Sequence, residues 1–183
     1  MSLFLGTGSE SKKCWQVILD SEITHVFQFV GRTSLPLATS EAALLPFGVD
    51  LKIIPHSAMP DPSKENPWTA NEIDKMTELA KEVKDLLDSG KRVMLVCNAG
   101  MNRSPTLAAM AARMRSWETG EEIRVQYALG NLDVALMMMP MDSTLVDFVN
   151  IFDETDEAAR SLKLAAVRSA GIKGEPRPKR KRS

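Results

Sequence analysis

The run Val93-Met94-Leu95-Val96, closed by Cys97, constrains this chain more than any other stretch. A continuous apolar run of this kind is a strand buried on both faces, inside a parallel or mixed sheet covered by helices. Soon after it, Pro105 suits the first turn of a helix, where its missing N–H is not needed. Leu107 to Trp117, rich in Ala and Met, then continues as helix up to Gly120. A buried strand, a short loop and a helix therefore stand in succession at the centre of the chain.

The flanking segments fit the same architecture. Leu3-Phe4-Leu5 reads as a short strand, and Trp15, Ile18 and Leu19 recur at helical spacing within Ser9 to Asp20. Thr24 to Val30 and Val49 to Ile54 read as strands, the first β-branched and aromatic, the second alternating until Pro55. From His56 to Trp68, with Pro55 just before, the prolines and Asp61, Ser63 and Asn66 hold neither ladder nor helix, which predicts a long loop. Long loops in compact domains are often functional. Thr69-Ala70-Asn71-Glu72 fits a capping box, and Ile73, Met76, Leu79, Ala80, Val83, Leu86 and Leu87 mark one helical face up to Gly90. Further helical patterns cover Arg124 to Met137, Ser143 to Phe152 and Glu154 to Arg168. The expected fold class is α/β, a small mixed or parallel central sheet flanked by helices. The expected organisation is a catalytic domain over residues 1–152, a helix over 153–170 packed on it or extending it, and a basic disordered tail over 171–183.

Composition narrows the class further. With 183 residues, 44% apolar and 26% charged, one globular domain is favoured over two. No apolar run approaches the roughly 20 residues that span a bilayer, and no membrane partner is expected. Met1 to Gly6 lacks the basic and apolar regions of a secretory signal, so an intracellular location, cytoplasmic or nuclear, is expected. Two cysteines, Cys14 and Cys97, make no disulfide framework, and at least one is expected to be a free thiol. The net charge of -1 conceals an asymmetry: Lys173, Arg177, Lys179, Arg180, Lys181 and Arg182 are opposed only by Glu175. Lys173 to Arg182 reads as nuclear localisation, nucleic-acid attraction or a patch for an acidic partner.

The chemistry concentrates between Cys97 and Pro105, where Cys97-Asn98-Ala99-Gly100-Met101-Asn102-Arg103-Ser104 reads C-x5-R-S. A loop of this length between a strand and a helix turns successive backbone N–H groups toward one point, and the helix adds its positive end. An oxyanion of phosphate size fits there, and small residues such as Ala99 and Gly100 let the backbone close around it. Arg103 adds a planar fork that grips two phosphate oxygens at once, which a lysine does not do. Cys97 sits at the mouth of this positive nest, where the thiolate form is favoured. The segment is built as a thiolate nucleophile under a bound phosphate.

These residues resemble the signature loop of the cysteine-dependent protein tyrosine phosphatases, specifically the dual-specificity branch. Leu3-Phe4-Leu5-Gly6 is similar to the opening of such domains, and Ile23-Thr24-His25-Val26 to their Gly-Ile-Thr-His-Val segment, with Glu22 where glycine is usual. Ser104-Pro105-Thr106 matches as well, and the resemblance runs from about Leu3 to Phe152. Two departures stand out. Val96 occupies the place of the family's histidine, and Met139-Pro140-Met141-Asp142 stands for its late segment of arginine, proline and asparagine. The resemblance implies Cys97 as nucleophile, with Asn98, Ala99, Gly100, Met101, Asn102 and Arg103 holding the phosphate. It implies Ser104 helping to expel the thiolate, and no cofactor or metal.

It also implies a general acid on a mobile upstream loop, at the end of a strand. The loop after Pro55 is in that place, and Asp61 is preferred over Glu65, its other carboxylate; the competing reading makes Asp61 a solvated turn residue. His56 lies nearer the family spacing and stays as an alternative acid, while Asp50 and Asp74 read as surface charges. Trp68 and Tyr127 either border a cleft or pack in the core, and Met137 to Met139 read as adaptable core. Met101 and Asn102 leave the loop interior neutral, where relatives acting on inositol phosphates carry lysines.

The expected function is hydrolysis of phosphomonoesters on protein tyrosine and serine or threonine through a phosphocysteine, by a monomer or weak dimer. Two alternatives share the loop. One is an RNA 5'-triphosphatase aided by the basic tail, which predicts salt-sensitive RNA binding lost on deleting residues 173–183. The other is a catalytically weak phosphate-binding pseudophosphatase.

Overall fold

The computed structural model describes residues 2–7, 18–30, 48–98, 100, 102–119, 124–127 and 143–174. In chain order the elements are β1 (Ser2–Thr7), β2 (His25–Phe29), β3 (Asp50–Ile54), α1 (Ala70–Asp88), β4 (Val93–Cys97), α2 (Arg103–Thr119), β5 (Arg124–Tyr127), α3 (Ser143–Asn150) and α4 (Glu157–Ala170). A 3-10 turn, Ile151–Asp153, follows α3 directly.

The strands form one five-stranded sheet in the order β3-β2-β4-β1-β5. Every pair in it is parallel. Strand β4 occupies the middle, and all five of its residues are buried, as its unbroken apolar composition requires. Period-two alternation then divides the core between the faces. Leu3, Leu5, Phe27, Phe29, Val93, Leu95 and Cys97 point into one cluster, with Ile73, Met76 and Val83 of α1, Leu107 and Met110 of α2, and Leu145 and Phe148 of α3. Phe4, Val26, Leu51, Met94 and Val96 point the other way, against Ile18, Ile23 and Val49. Residues 18–20 are helical and cover this second face.

The capped helix is α1: the backbone N–H of Thr69 donates to Glu72 Oε2 at 2.7 Å, closing the capping box. Arg115 of α2 reaches the far end of α1, where its Nε donates to Asp88 Oδ1 at 2.7 Å. Arg113 Nε donates to Asp153 Oδ1 at 2.6 Å and fixes α2 to the turn after α3. Helix α4 has no fully buried residue and packs by Leu164 and Val167 on the larger core. Its N-cap Asp156 accepts from the Ala159 N–H at 2.9 Å.

Sequence and structure part company at two places. The helix expected over Arg124 to Met137 begins as strand β5, with Arg124 beside Ser2 and Tyr127 beside Leu5. Four residues alternating Arg, Val, Gln, Tyr are too few for period two to stand out in a sequence, and pairing with β1 decides their conformation. Residues 128–142, which hold the rest of that expectation and Met137 to Met139, lie outside the described residues. Second, residues 171–174, read as the start of the tail, are built into the fold. Ile172 is buried and pairs with Trp68 in an antiparallel bridge. Residues 175–183, with most of the basic run, lie outside the described residues, as does Cys14. Glu22 stands at φ +51, in the left-handed region that favours glycine.

Candidate active site

In parallel α/β sheets the carboxyl ends of the strands open toward one crevice, and loops from different strands meet there. Cys97 ends β4 at that edge, and α2 starts at Arg103, so residues 98–102 must turn within the space between strand and helix. Gly100 makes that turn at φ +65. The helix start is secured by Thr106, whose N–H and Oγ1 both donate to the Asn102 carbonyl, at 2.9 and 2.7 Å. Positive helix end, loop and thiol thus share one location. Ala99 and Met101 lie outside the described residues; Asn98 is exposed, Gly100 buried and Asn102 half-buried.

Cys97 is a free, buried thiol. Its Sγ accepts a hydrogen bond from Ser104 Oγ at 3.1 Å, which requires no residue from elsewhere because Ser104 lies in the first turn of α2. Val96 points to the opposite face of the sheet, into the second apolar cluster.

Arg103 is the unusual group. It is 1% exposed, and a charge so buried needs partners. Its Nη1 donates to the carbonyls of Val30 at 3.2 Å and Met59 at 3.3 Å, the first just past β2 and the second in the loop after β3. Its guanidinium lies 5.8 Å from the centre of the Phe29 ring. The Nε lies 3.0 Å from Asp61 Oδ1, an ion pair whose angle is too poor for an aligned hydrogen bond. The loop from His56 to Trp68 therefore reaches the start of α2, and Asp61 is its carboxylate at the arginine. Asp61 remains 27% exposed in its side chain, so it sits at the border of solvent and site.

The loop itself is anchored by Trp68, which is completely buried while its Nε1 donates to the Pro60 carbonyl at 2.6 Å. The core reading of Trp68 holds, with a polar duty besides. Glu65 is exposed, Asp50 lies 3.9 Å from His25 Nε2, and Asp74 pairs with Arg168 at 2.8 Å. The carbonyls of Val30 and Met59 and the ring of Phe29 were not legible as site groups, since neither backbone acceptors nor a strand aromatic carry a sequence mark. His56 is half-buried.

The arrangement juxtaposes a thiol, a donor to its sulfur, a buried guanidinium and a carboxylate at one rim. A nucleophile, an oxyanion clamp and a proton carrier are the parts that phosphoryl transfer uses.

No family model and no curated protein matches the chain. Among solved structures, it is similar to Tk-PTP in the active form at 14% identity, with 91% of each chain covered and a TM-score of 0.43. It is similar to PTPMT1 at 14% identity, covering 90% of this chain and 95% of that one, with a TM-score of 0.46. DUSP15 follows at 16% identity, covering 92% and 83%, with a TM-score of 0.44. These similar structures are tyrosine and dual-specificity phosphatases.

Proposed function

We propose that the chain is a cysteine-dependent phosphatase of the dual-specificity type, hydrolysing phosphomonoesters of tyrosine and of serine or threonine in proteins. The observation that carries this reading is the 3.0 Å approach of Asp61 to Arg103, because it joins the C-x5-R-S loop to a carboxylate from a separate loop. A phosphate-sized dianion entering the nest would compete with Asp61 for the guanidinium, freeing the carboxylate to take up a proton from solvent and face the leaving oxygen.

In the first step the Cys97 thiolate attacks phosphorus in line, the bond from phosphorus to the ester oxygen breaks, and protonated Asp61 gives its proton to that oxygen. Loop amides and Arg103 stabilise the charge on the remaining phosphoryl oxygens. In the second step a water attacks the phosphocysteine, Asp61 takes the water's proton, and the phosphorus–sulfur bond breaks. The hydroxyl of Ser104, a donor to Sγ at 3.1 Å, supports the departing thiolate. The neutral Asn102 of the loop favours a phosphoprotein over a polyanionic inositol phosphate.

The test is hydrolysis of a small aryl phosphate from about pH 5 to about pH 8 with EDTA present and Cys97→Ser as control. Turnover that withstands chelation and disappears in the serine variant is expected. Absence of turnover, with phosphate or tungstate still raising the melting temperature, overturns the enzymatic reading in favour of a binding module.

A further inference from the structure

We propose that residues 171–174, immediately after α4, are a clasp that holds the acid-bearing loop in register, making Ile172 and Gly174 positioning residues for Asp61. This rests on the reading of Asp61 as general acid. Two attachments converge on Asp61 from its two sides.

The first attachment runs through Trp68. Its N–H donates to the Ile172 carbonyl at 2.8 Å, and the Ile172 N–H donates back to the Trp68 carbonyl at 2.9 Å. With its backbone gripped, Trp68 projects a fully buried indole whose Nε1 donates to Pro60, the residue before Asp61. The second attachment is direct. Gly174 lies so close to the residue after Asp61 that a Cβ on it would stand 2.2 Å from the Pro62 carbonyl oxygen and 2.6 Å from its carbon. Such contacts are with backbone, so no side-chain rotation relieves them. Asp61 thus stands between Pro60, tied to this segment through Trp68, and Pro62, which packs directly against it.

The consequence for chemistry follows from the cost of ordering a loop. A long connection free to fluctuate must lose conformational entropy each time it brings an acid to the leaving oxygen. A clasp that orders the loop beforehand removes that cost from the reaction, and small misplacements of an acid are expensive in rate. The clasp acts at Pro60 and Pro62, the neighbours of Asp61, so its loss falls most heavily on the proton-transfer part of the step.

The experiment uses the full chain with Gly174→Ala, and with Trp68→Phe, which keeps a ring in the core and removes the indole donor. Turnover is measured on two aryl phosphates, one with an acidic phenol that departs without help and one with a basic phenol that needs a proton. In both variants turnover of the poor leaving group is expected to fall about tenfold or more, while the good one changes by less than about threefold. Amide exchange at Asp61, Ser63 and Asn66 is expected to quicken in both. Equal losses on the two esters, or no loss on either, overturn the proposal; should Gly174→Ala not fold, Trp68→Phe decides. If the unaltered protein shows no Cys97-dependent turnover, the phosphatase reading fails separately. Exchange then decides the clasp alone, and rates unchanged by Gly174→Ala refute it.

Discussion

Arg103→Lys tests the site at two levels at once, because this guanidinium is a structural tie in the fold and, in the proposed function, the phosphate clamp. Lysine keeps the charge but replaces a planar fork with a single ammonium. In the folded chain Nη1 serves Val30 and Met59 at 3.2 and 3.3 Å while Nε faces Asp61 at 3.0 Å. One ammonium cannot reproduce all three, so at least one of these polar groups loses its donor, at a cost of about 1–3 kcal/mol. For a chain of this size that corresponds to a fall in Tm of about 2–10 °C. The turnover effect is separate: losing bidentate stabilisation of the phosphoryl oxygens should lower kcat by about 10²–10³-fold, the scale seen when one oxyanion donor is removed. Calorimetry and a steady-state assay on the same preparation read the two effects. A variant that melts like the unaltered protein refutes the structural tie, and turnover within about threefold refutes the clamp.

Asp61→Asn should depress turnover of poor leaving groups by about 10²-fold or more and of good ones far less, because only the former need the proton; equal losses remove Asp61 from the role of acid. Ser104→Ala, which deletes the donor to Sγ at 3.1 Å, should slow breakdown of the phosphocysteine more than its formation, seen as a burst of phenol in rapid-mixing kinetics. Glu22→Gly should raise Tm by about 1–4 °C, since relief of a left-handed backbone, about 1–2 kcal/mol, outweighs the added freedom of glycine when unfolded. For Asp88, burial pushes its carboxyl pKa up, but hydrogen bonds and charge from Arg115 and Lys84 outweigh it and hold the group below its ordinary value. The folded state therefore binds this proton less readily than the unfolded chain. The pair's stabilisation is present above the unfolded pKa and is lost as pH falls through the folded one. Between about pH 5 and about pH 2 the Tm of Asp88→Asn should fall less steeply than that of the unaltered chain, and parallel curves would count against the pairing.

Much of this could be read directly from residues that act locally. The five buried residues of β4, the capping box at Thr69 and Glu72 and the proline-rich loop are decided by patterns within a few positions, and each stands in the structure as read. The C-x5-R-S loop is of the same kind, since strand, turn and helix start lie within one short segment. Where the chain is short of local signal, pairing takes over. Strand β5 is four residues whose conformation is set by β1 alongside it, not by their own periodicity.

The polar tail offered a subtler case. Glycine, lysine and glutamate after Ile172 read as solvent-seeking, and no local rule announces that Trp68, more than a hundred residues earlier, supplies a backbone partner for Ile172. Likewise the sequence by itself determined that Cys97, Arg103 and Ser104 share one short strand–turn–helix segment and that Asp61 belongs to the loop after β3. Tertiary structure alone decided that Asp61 reaches Arg103, that backbone carbonyls at Val30 and Met59 hold the guanidinium, and that the segment after α4 closes on the loop that carries Asp61. The physical reason is range. Propensity, capping and turn chemistry act between neighbours in the chain, whereas a buried charge takes its partners from whatever the packed strands and loops bring to it.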